Sequence, residues 1–275
     1  MPELPEVQTV VDTLKPNIID KKIEAVEVIE EKLVEKPRLE EFKDLLVGQI
    51  ITNVKRRGKY IIIELDNSYY LVSHLRMTGR FSYVDDGQEI GDYDYILFKF
   101  SDNEELRLGS KRKFTRTYLV DDLADAGSLT DLGPEPLSEE FTLDMFKELI
   151  APRRGRMKPL LLNQKFIAGL GSIYVDESLF ISGIHPMRTA DTLTEEEITK
   201  LHGAIRQVLA EGIEHRGTTK WDYVDASGQA GSYQDELRVY DREEEECFEC
   251  GTKIQRTKVG GRSAYFCPQC QPLEE

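Results

Sequence analysis

The chain has 275 residues, a formal net charge of −15 and a hydrophobic content of 40%, which suits a globular protein of two domains and excludes a disordered one. No apolar run approaches the roughly 18 residues of a membrane span, and the acidic start MPELPEVQ does not resemble a secretory signal, so we expect a cytoplasmic protein with no membrane partner. Because the negative charge is spread along the chain, a nucleic-acid partner would need a local basic surface.

The first half of the sequence predicts one amphipathic helix followed by short strands. Val7, Val10, Val11 and Leu14 recur at the spacing of one helical face. Short runs rich in Ile, Val, Tyr and Phe, broken by Gly, Asp and Asn, then predict strands of a sandwich or barrel. These runs are Ile23–Val28, Tyr60–Leu65, Tyr69–Ser73, Phe81–Val84, Tyr95–Phe100 and Thr117–Val120.

The pattern becomes helical after a linker rich in Pro and Gly at residues 131–136. Helices are predicted at Phe141–Ile150, Pro159–Gln164, Ile173–Ile181 and Glu195–Glu211, and the last has Thr194 as its N-cap. Residues 215–235 carry few large aliphatic side chains and predict a loop. We therefore expect an N-terminal domain over 1–132, a helical domain over 133–240 and a C-terminal finger over 241–275.

All four cysteines lie in two Cys-x2-Cys pairs, Cys247 with Cys250 and Cys267 with Cys270. This spacing predicts one structural zinc ion held by four thiolates, which stabilises a hairpin too small to fold alone. Two disulfides are the alternative, and the expected cytoplasmic location disfavours them. Basic residues at 253, 256, 258 and 262 predict a DNA-contacting tip on this hairpin, although an ordinary solvated hairpin has the same composition.

The N-terminus combines a possible nucleophile with two carboxylates. If Met1 is removed, Pro2 becomes a secondary amine with an ordinary pKa near 8, so part of it is neutral at physiological pH. Glu3 and Glu6 flank this residue at the start of the first helix. The alternative role for these acids is simple compensation of the helix dipole.

Several motifs, in order along nearly the whole chain, resemble the family of formamidopyrimidine-DNA glycosylase and endonuclease VIII. They are PELPEV at 2–7, RGKY at 57–60, SHLRM at 73–77, RKF at 112–114, LGPEP at 132–136, GLGSIYVDE at 169–177 and the four-cysteine finger. The resemblance implies an α+β multidomain fold. It would comprise an N-terminal β-sandwich with a leading helix, a helix–two-turns–helix domain and a C-terminal zinc finger.

The resemblance also implies a function in base-excision repair. Such enzymes act on double-stranded DNA, excise oxidised purines such as 8-oxoguanine and formamidopyrimidines, and cleave the strand by β- and δ-elimination at the abasic site. Pro2 would be the nucleophile that forms a Schiff base with C1′, Glu3 the acid that protonates the sugar ring oxygen, and Glu6 a supporting group. Lys59 would contact phosphate and assist the reaction. A monomeric enzyme is expected.

DNA contacts are implied for a second set of residues, because chemistry at C1′ requires the nucleotide to be flipped out of the stack. Met77, Arg112 and Phe114 match the residues that fill the vacated stack, and His74 lies in the same SHLRM motif. Ser172 and Arg262 match phosphate contacts. The segment 217–232 resembles the one that closes over the flipped purine.

Four positions depart from the family pattern. Ser172 replaces the usual asparagine, Ser110 an aspartate, Thr115 a glycine and Gln8 a glutamate. These departures affect DNA gripping more than catalysis, so an active enzyme is expected. The alternatives are a catalytically weak or inactive paralogue that binds damaged or abasic DNA, and a zinc-ribbon interaction module that does not bind DNA.

Overall fold

The computed structural model of the chain describes residues 1–220 and 222–273. Contacts divide the described residues into two compact units. The first contains Met1–Thr130 together with the segment that starts at His215 and ends at Ser232, and the second contains Asp131–Glu214 and the residues from Tyr233 onward. Among the helices that the structure describes, none is both long and apolar enough to span a lipid bilayer.

The first unit is a β-sandwich with two helices. Its helices are α1 (Leu4–Ile18) and α2 (Leu39–Leu46). Its strands are β1 (Ile23–Val28), β2 (Val34–Lys36), β3 (Ile51–Arg57), β4 (Tyr60–Leu65), β5 (Tyr70–His74), β6 (Gly79–Asp85), β7 (Asp94–Phe100), β8 (Glu104–Ser110) and β9 (Arg116–Val120). One sheet has the order β1-β7-β8-β6 and the other β2-β9-β5-β4-β3, with all neighbours antiparallel except β2 and β9.

A single apolar core joins the two sheets to α1. Val7 and Leu14 from α1, Ile61 from one sheet and Phe98 from the other are all fully or almost fully buried in it. Their periodicities, 3.6 residues on the helix and two on the strands, direct these side chains to the same interior. The predicted sandwich with a leading helix is therefore confirmed.

The segment that starts at His215 belongs to this unit, and its hydrogen bonds join it to two different elements. The N–H of Tyr83 in β6 donates to the carbonyl oxygen of Ala226 at 3.1 Å. The N–H of Ala226 donates to Oγ1 of Thr13 in α1 at 3.3 Å. Within the segment, Oδ1 of Asp225 accepts from the N–H groups of Ser227 and Gln229. The predicted loop is thus held at both α1 and β6.

The second unit contains four helices and a hairpin. They are α3 (Leu143–Ile150), α4 (Met157–Leu161), α5 (Ser172–Ile181), α6 (Glu195–Glu214), β10 (Gln255–Val259) and β11 (Arg262–Phe266). The predicted N-cap of α6 is confirmed, since Oγ1 of Thr194 accepts from the N–H of Glu197 while the Glu197 carboxylate accepts from the N–H of Thr194. Helix α4 begins two residues before its predicted start at Pro159.

A buried ion pair ties the helices of this unit to its hairpin. Nζ of Lys158 in α4 lies 2.6 Å and 2.8 Å from the two carboxylate oxygens of Asp176 in α5. The same ammonium donates to the carbonyl oxygen of Ser263, and the N–H of Tyr265 donates to Asp176 at 3.1 Å. Burial raises the pKa of Asp176 to about 7 despite its partner Lys158. Strand β11 is therefore fixed against α4 and α5.

Candidate functional site

Two buried carboxylates lie at the start of α1, directly after a buried Pro2. Glu3 and Glu6 are only 5% and 2% exposed. Oε2 of Glu6 accepts a hydrogen bond from the N–H of Glu3 at 2.8 Å, and Oε1 accepts one from the N–H of Thr218 at 2.7 Å. Both oxygens of Glu6 are therefore held by backbone donors, in the first turn, where the helix dipole favours negative charge.

The segment around Gly217 fits closely against Glu6. Gly217 has a φ of +80°, and a Cβ added there would lie 2.8 Å from Cγ of Glu6. The hydroxyl of Tyr223 donates to the carbonyl oxygens of Glu6 at 3.2 Å and of Arg216 at 3.1 Å. Burial and the nearby Glu6 carboxylate raise the pKa of Tyr223, so its hydroxyl stays a donor. These contacts with Glu6 were not predicted; the one sequence signal was Gly217.

Lys59 lies in the turn before β4, and His74 is the last residue of β5, the strand next to β4 in the five-stranded sheet. Lys59 follows Gly58, whose φ of +55° makes the tight turn between β3 and β4, and it is 5% exposed. Tyr60 pairs with His74 across β4 and β5, and their rings meet edge to face at 4.7 Å. Burial, with smaller contributions from the charges of Arg76 and Lys59, lowers the pKa of His74 to about 3.

His74 is therefore a neutral imidazole, and its hydrogen bond defines the tautomer. Nδ1 accepts from the N–H of Arg76 at 3.0 Å, a residue with a φ of +57°. A neutral ring that accepts at Nδ1 carries its proton on Nε2. His74 can thus offer one N–H donor without carrying a charge.

The structure brings together Met77, Arg112 and Phe114, which two separate loops carry. Met77 is 47% exposed and Phe114 is 46% exposed. A guanidinium nitrogen of Arg112 lies 3.0 Å from the sulfur of Met77, and its Cζ lies 4.9 Å from the centre of the Phe114 ring. The three side chains form one exposed cluster.

Most of the cations in the basic run 111–116 lie close to acidic side chains. Three of its four cations pair with carboxylates: Lys111 with Asp222, Lys113 with Glu30 and Arg116 with Glu35. Among residues 1–220 and 222–273, Arg112 has no carboxylate partner. A chain of net charge −15 therefore presents a cation at the position where the exposed apolar side chains also lie.

In the second unit, Ser172 is the first residue of α5 and follows Gly171, the N-cap. Arg262 is exposed and begins β11 after the turn formed by Gly260 and Gly261, which both have a positive φ. A Cβ on Gly260 would lie 2.7 Å from Cγ of Pro159, so this turn packs tightly against α4.

The basic residues of the hairpin divide into two kinds. Lys253 pairs with Glu244 at 3.2 Å, and Arg256 lies 3.4 Å from Glu243. In the part of the chain that the structure describes, no acidic side chain pairs with Lys258 or Arg262. Lys258 and Arg262 are thus the two predicted tip residues without an acidic partner among the described residues.

The four cysteines converge on one point. Cys247 lies 3.9 Å from Cys270, and Cys250 lies 3.5 Å from both Cys267 and Cys270, measured between sulfur atoms. All four sulfurs lie within 4.8 Å of one another. Four thiolates about 2.3 Å from a tetrahedral ion have sulfurs roughly 3.8 Å apart, so the observed distances fit a four-cysteine metal site.

Comparisons with known proteins agree with this architecture. Three family models match: the formamidopyrimidine-DNA glycosylase N-terminal domain at residues 1–117, the H2TH domain of the same glycosylase at 132–222, and the zinc finger found in FPG and IleRS at 244–273. A formamidopyrimidine-DNA glycosylase of Pelotomaculum thermopropionicum is 47% identical over 276 residues, with 100% of each chain covered.

Two solved structures superpose over almost the whole chain. One is a Lactococcus lactis FPG mutant in complex with a Fapy-dG containing DNA, with a TM-score of 0.93, 36% identity and coverage of 99% of this chain and 100% of that chain. The other is MutM in complex with carbocyclic 8-oxo-G containing DNA, with a TM-score of 0.91, 37% identity and the same coverage. The chain belongs to the formamidopyrimidine-DNA glycosylase family.

Proposed function

We propose that this chain is a base-excision-repair DNA glycosylase with AP lyase activity, acting on double-stranded DNA that contains oxidised purines or abasic sites. It would act as a monomer in the cytoplasm. Family membership supports the activity, and the relatives bound to Fapy-dG and 8-oxo-G containing DNA support the substrate class. The observation that carries the proposal is the placement of two almost fully buried carboxylates directly beside Pro2.

The reaction would begin at the nitrogen of Pro2, once Met1 has been removed. The neutral amine attacks C1′ of the damaged nucleotide, the bond from C1′ to the base breaks, and the base leaves with the bonding electrons and takes up a proton. Glu3 then protonates the ring oxygen of the sugar. The ring opens and leaves an iminium ion, a Schiff base between Pro2 and C1′.

Strand cleavage would follow from the acidity that the iminium ion gives to C2′. The Glu3 carboxylate, having given up its proton, takes one from C2′, and the 3′ phosphate leaves by β-elimination. A second elimination releases the 5′ phosphate, and water hydrolyses the remaining imine to free Pro2. Glu6 would keep its place through the N–H groups of Glu3 and Thr218, and so would fix the start of α1 during these steps.

The remaining site residues would hold the DNA. Lys59 and the neutral His74 would contact phosphate, the latter through the N–H at Nε2. Met77, Arg112 and Phe114 would fill the space left by the flipped nucleotide. Ser172 at the start of α5 and Arg262 at the hairpin tip would bind phosphate in the second unit.

Cys247, Cys250, Cys267 and Cys270 would hold one zinc ion with a structural role. The spacing of the sulfur atoms supports this assignment, and four protein ligands leave no coordination position for substrate. When bound, the metal would supply the stability that the small hairpin with Arg262 lacks.

The test is borohydride trapping with duplexes that carry 8-oxoguanine or an abasic site. Protein whose intact mass shows Pro2 as its first residue should form a covalent adduct, while a preparation with extra residues before Pro2 should form none. Glu3→Gln should slow formation of the trapped adduct at least about 100-fold, because Glu3 protonates the ring oxygen in the step that forms the iminium ion. The matched control Glu24→Gln, on the exposed face of β1, should match the unaltered protein.

Two outcomes would reject the proposal. An adduct of equal yield with the extended N-terminus would exclude Pro2 as the nucleophile. Tight binding to abasic duplex without any adduct or strand cleavage would instead identify a non-catalytic, DNA-binding paralogue.

A further inference from the structure

Two short segments of the first unit carry the exposed cluster of Met77, Arg112 and Phe114. We refer to residues 111–115, between β8 and β9, as the wedge loop. We refer to residues 75–79, which run from the end of β5 to the first residue of β6, as the Met77 turn. The N–H of Gly79 donates to the carbonyl oxygen of Leu75 at 2.9 Å and closes the Met77 turn. The N–H of Arg112 donates to Oγ1 of Thr78 at 2.9 Å, which is one link between the two segments.

A second link is buried and depends on side-chain hydroxyls. The hydroxyl of Thr115 donates to the carbonyl oxygen of Leu75 at 3.2 Å, the same oxygen that closes the Met77 turn. It also lies 2.9 Å from Oγ of Ser110, the last residue of β8. Ser110 and Thr115 are 1% and 0% exposed, so water does not compete for these contacts.

The space around this hydroxyl pair leaves little freedom for the two segments to slide. A Cβ added to Gly79 would lie 2.4 Å from Oγ1 of Thr115 and 2.3 Å from the carbonyl oxygen of Leu75. Within the wedge loop, the N–H of Lys113 donates to the carbonyl oxygen of Ser110 at 2.9 Å, and Lys113 has a φ of +55°. The loop is therefore anchored at both ends, by Ser110 and Thr115, next to the closed turn.

We propose that the Ser110–Thr115 hydroxyl pair is a positioning device that locks the wedge loop to the Met77 turn. Met77, Arg112 and Phe114 then enter a base stack as one preformed unit. Neither hydroxyl touches the DNA. The inference rests on the proposed function, because it assigns these three side chains to the gap left by a flipped nucleotide. The inference also implies that the pair matters only for duplex substrate, because a single strand has no paired stack for the three side chains to fill.

Amide hydrogen exchange tests the lock without any DNA. Thr115→Val keeps the shape of the side chain and removes the hydroxyl, whereas Thr115→Ser keeps the hydroxyl. Exchange in the wedge loop and the Met77 turn should be roughly tenfold faster in Thr115→Val, as expected for the loss of one buried hydrogen bond, and unchanged in Thr115→Ser. Thr52→Val is the matched control, because its exposed hydroxyl donates to the carbonyl oxygen of Glu64 in β4.

Kinetics test the duplex specificity. In single-turnover assays Thr115→Val should excise 8-oxoguanine from duplex about tenfold more slowly, yet trap single-stranded abasic DNA at the rate of the unaltered protein. Equal exchange in Thr115→Val and the unaltered protein overturns the lock, whatever the activity. Equal slowing on duplex and single strand overturns the positioning role. Failure of the unaltered protein on both substrates rejects the proposed function, while the exchange experiment still decides the lock.

Discussion

The backbone N–H of Thr218 donates to Oε1 of Glu6 at 2.7 Å, although the two residues are 212 positions apart in the chain. This contact fixes a carboxylate in the first turn of α1 from the outside, while the N–H of Glu3 fixes its other oxygen from within. The start of α1 and the segment around Gly217 are therefore one structural unit. Any change that moves one of them should move the other.

Gly217→Ala should expose this dependence. The new Cβ would lie 2.8 Å from the Glu6 side chain, and the residue would have to keep a φ of +80°. Gly228→Ala is the matched control, since its φ is +81° and nothing lies within 4 Å of an added Cβ. Both variants should lose about 1 kcal/mol of stability in urea unfolding from backbone strain, and Gly217→Ala should lose more because of its contact with Glu6. Gly217→Ala alone should slow base excision at least about tenfold. Equal excision rates in the two variants would show that Glu6 does not need its present position.

Salt dependence should separate the two kinds of basic residue in the hairpin. Arg262→Ala should weaken binding to an abasic duplex and reduce the slope of log K against log salt by about 1, as expected for one lost phosphate contact. Lys253→Ala should leave the slope unchanged, because this ammonium already pairs with Glu244. Titrations by fluorescence anisotropy at several salt concentrations measure both slopes. Equal slopes for Arg262→Ala and the unaltered protein would remove Arg262 from the interface.

His74 should make the protein less stable as the pH falls. Burial lowers its pKa in the folded state from 6.5 to about 3, so between these values the unfolded state binds more protons than the folded state. Stability gained from the neutral ring is fully present above pH 6.5 and is lost progressively below it. Between pH 7 and pH 5 the unaltered protein should lose about 2 kcal/mol more than His74→Gln in urea unfolding. Parallel pH profiles would mean that His74 is not kept neutral.

Removal of the metal should act through the hairpin rather than through the reaction. After chelation, affinity for an abasic duplex should fall at least about tenfold, and Arg262→Ala should then cause no further loss. We expect the contacts of β11 with Lys158 and Asp176 to be too few to keep Arg262 in place once the cysteine pairs separate. Added Zn²⁺ should restore the affinity, and mass spectrometry under native conditions should find one ion per chain. An additional loss from Arg262→Ala in the chelated protein would show that the hairpin keeps its structure without the metal.

Sequence patterns predicted the helices and strands whose apolar side chains form a clear run or recur at a regular spacing. The stretch Tyr95–Phe100 is apolar at every position except Lys99, and the structure has β7 at Asp94–Phe100. Strand β8 was missed because Glu105 and Arg107 interrupt its apolar pattern, and only the structure shows that these two form a buried ion pair. The sequence shows that a residue is charged, but it does not show whether that residue is exposed or is buried with an oppositely charged partner.

The candidate site was predictable to a different extent in its parts. The residue types at the N-terminus and the resemblance together led to the roles proposed for Pro2 and Glu3, and spacing alone predicted that the four cysteines converge. The contact of Glu6 with Thr218 could not be predicted, because the donor is a backbone N–H group and almost every residue type has one. Ser110 and Thr115, which depart from the family pattern, contact each other, and only the fold brings two such positions together.

The ion pairs of the run 111–116 bear on how the protein would search undamaged DNA. Because Lys111, Lys113 and Arg116 each pair with an acid, contact of this run with intact duplex would displace fewer counterions than contact of four unpaired cations. Complexes with undamaged DNA would therefore be short-lived, and the protein would dissociate and rebind many times along a chromosome. A strongly acidic repair enzyme would therefore bind undamaged DNA more weakly but sample more sites per unit time.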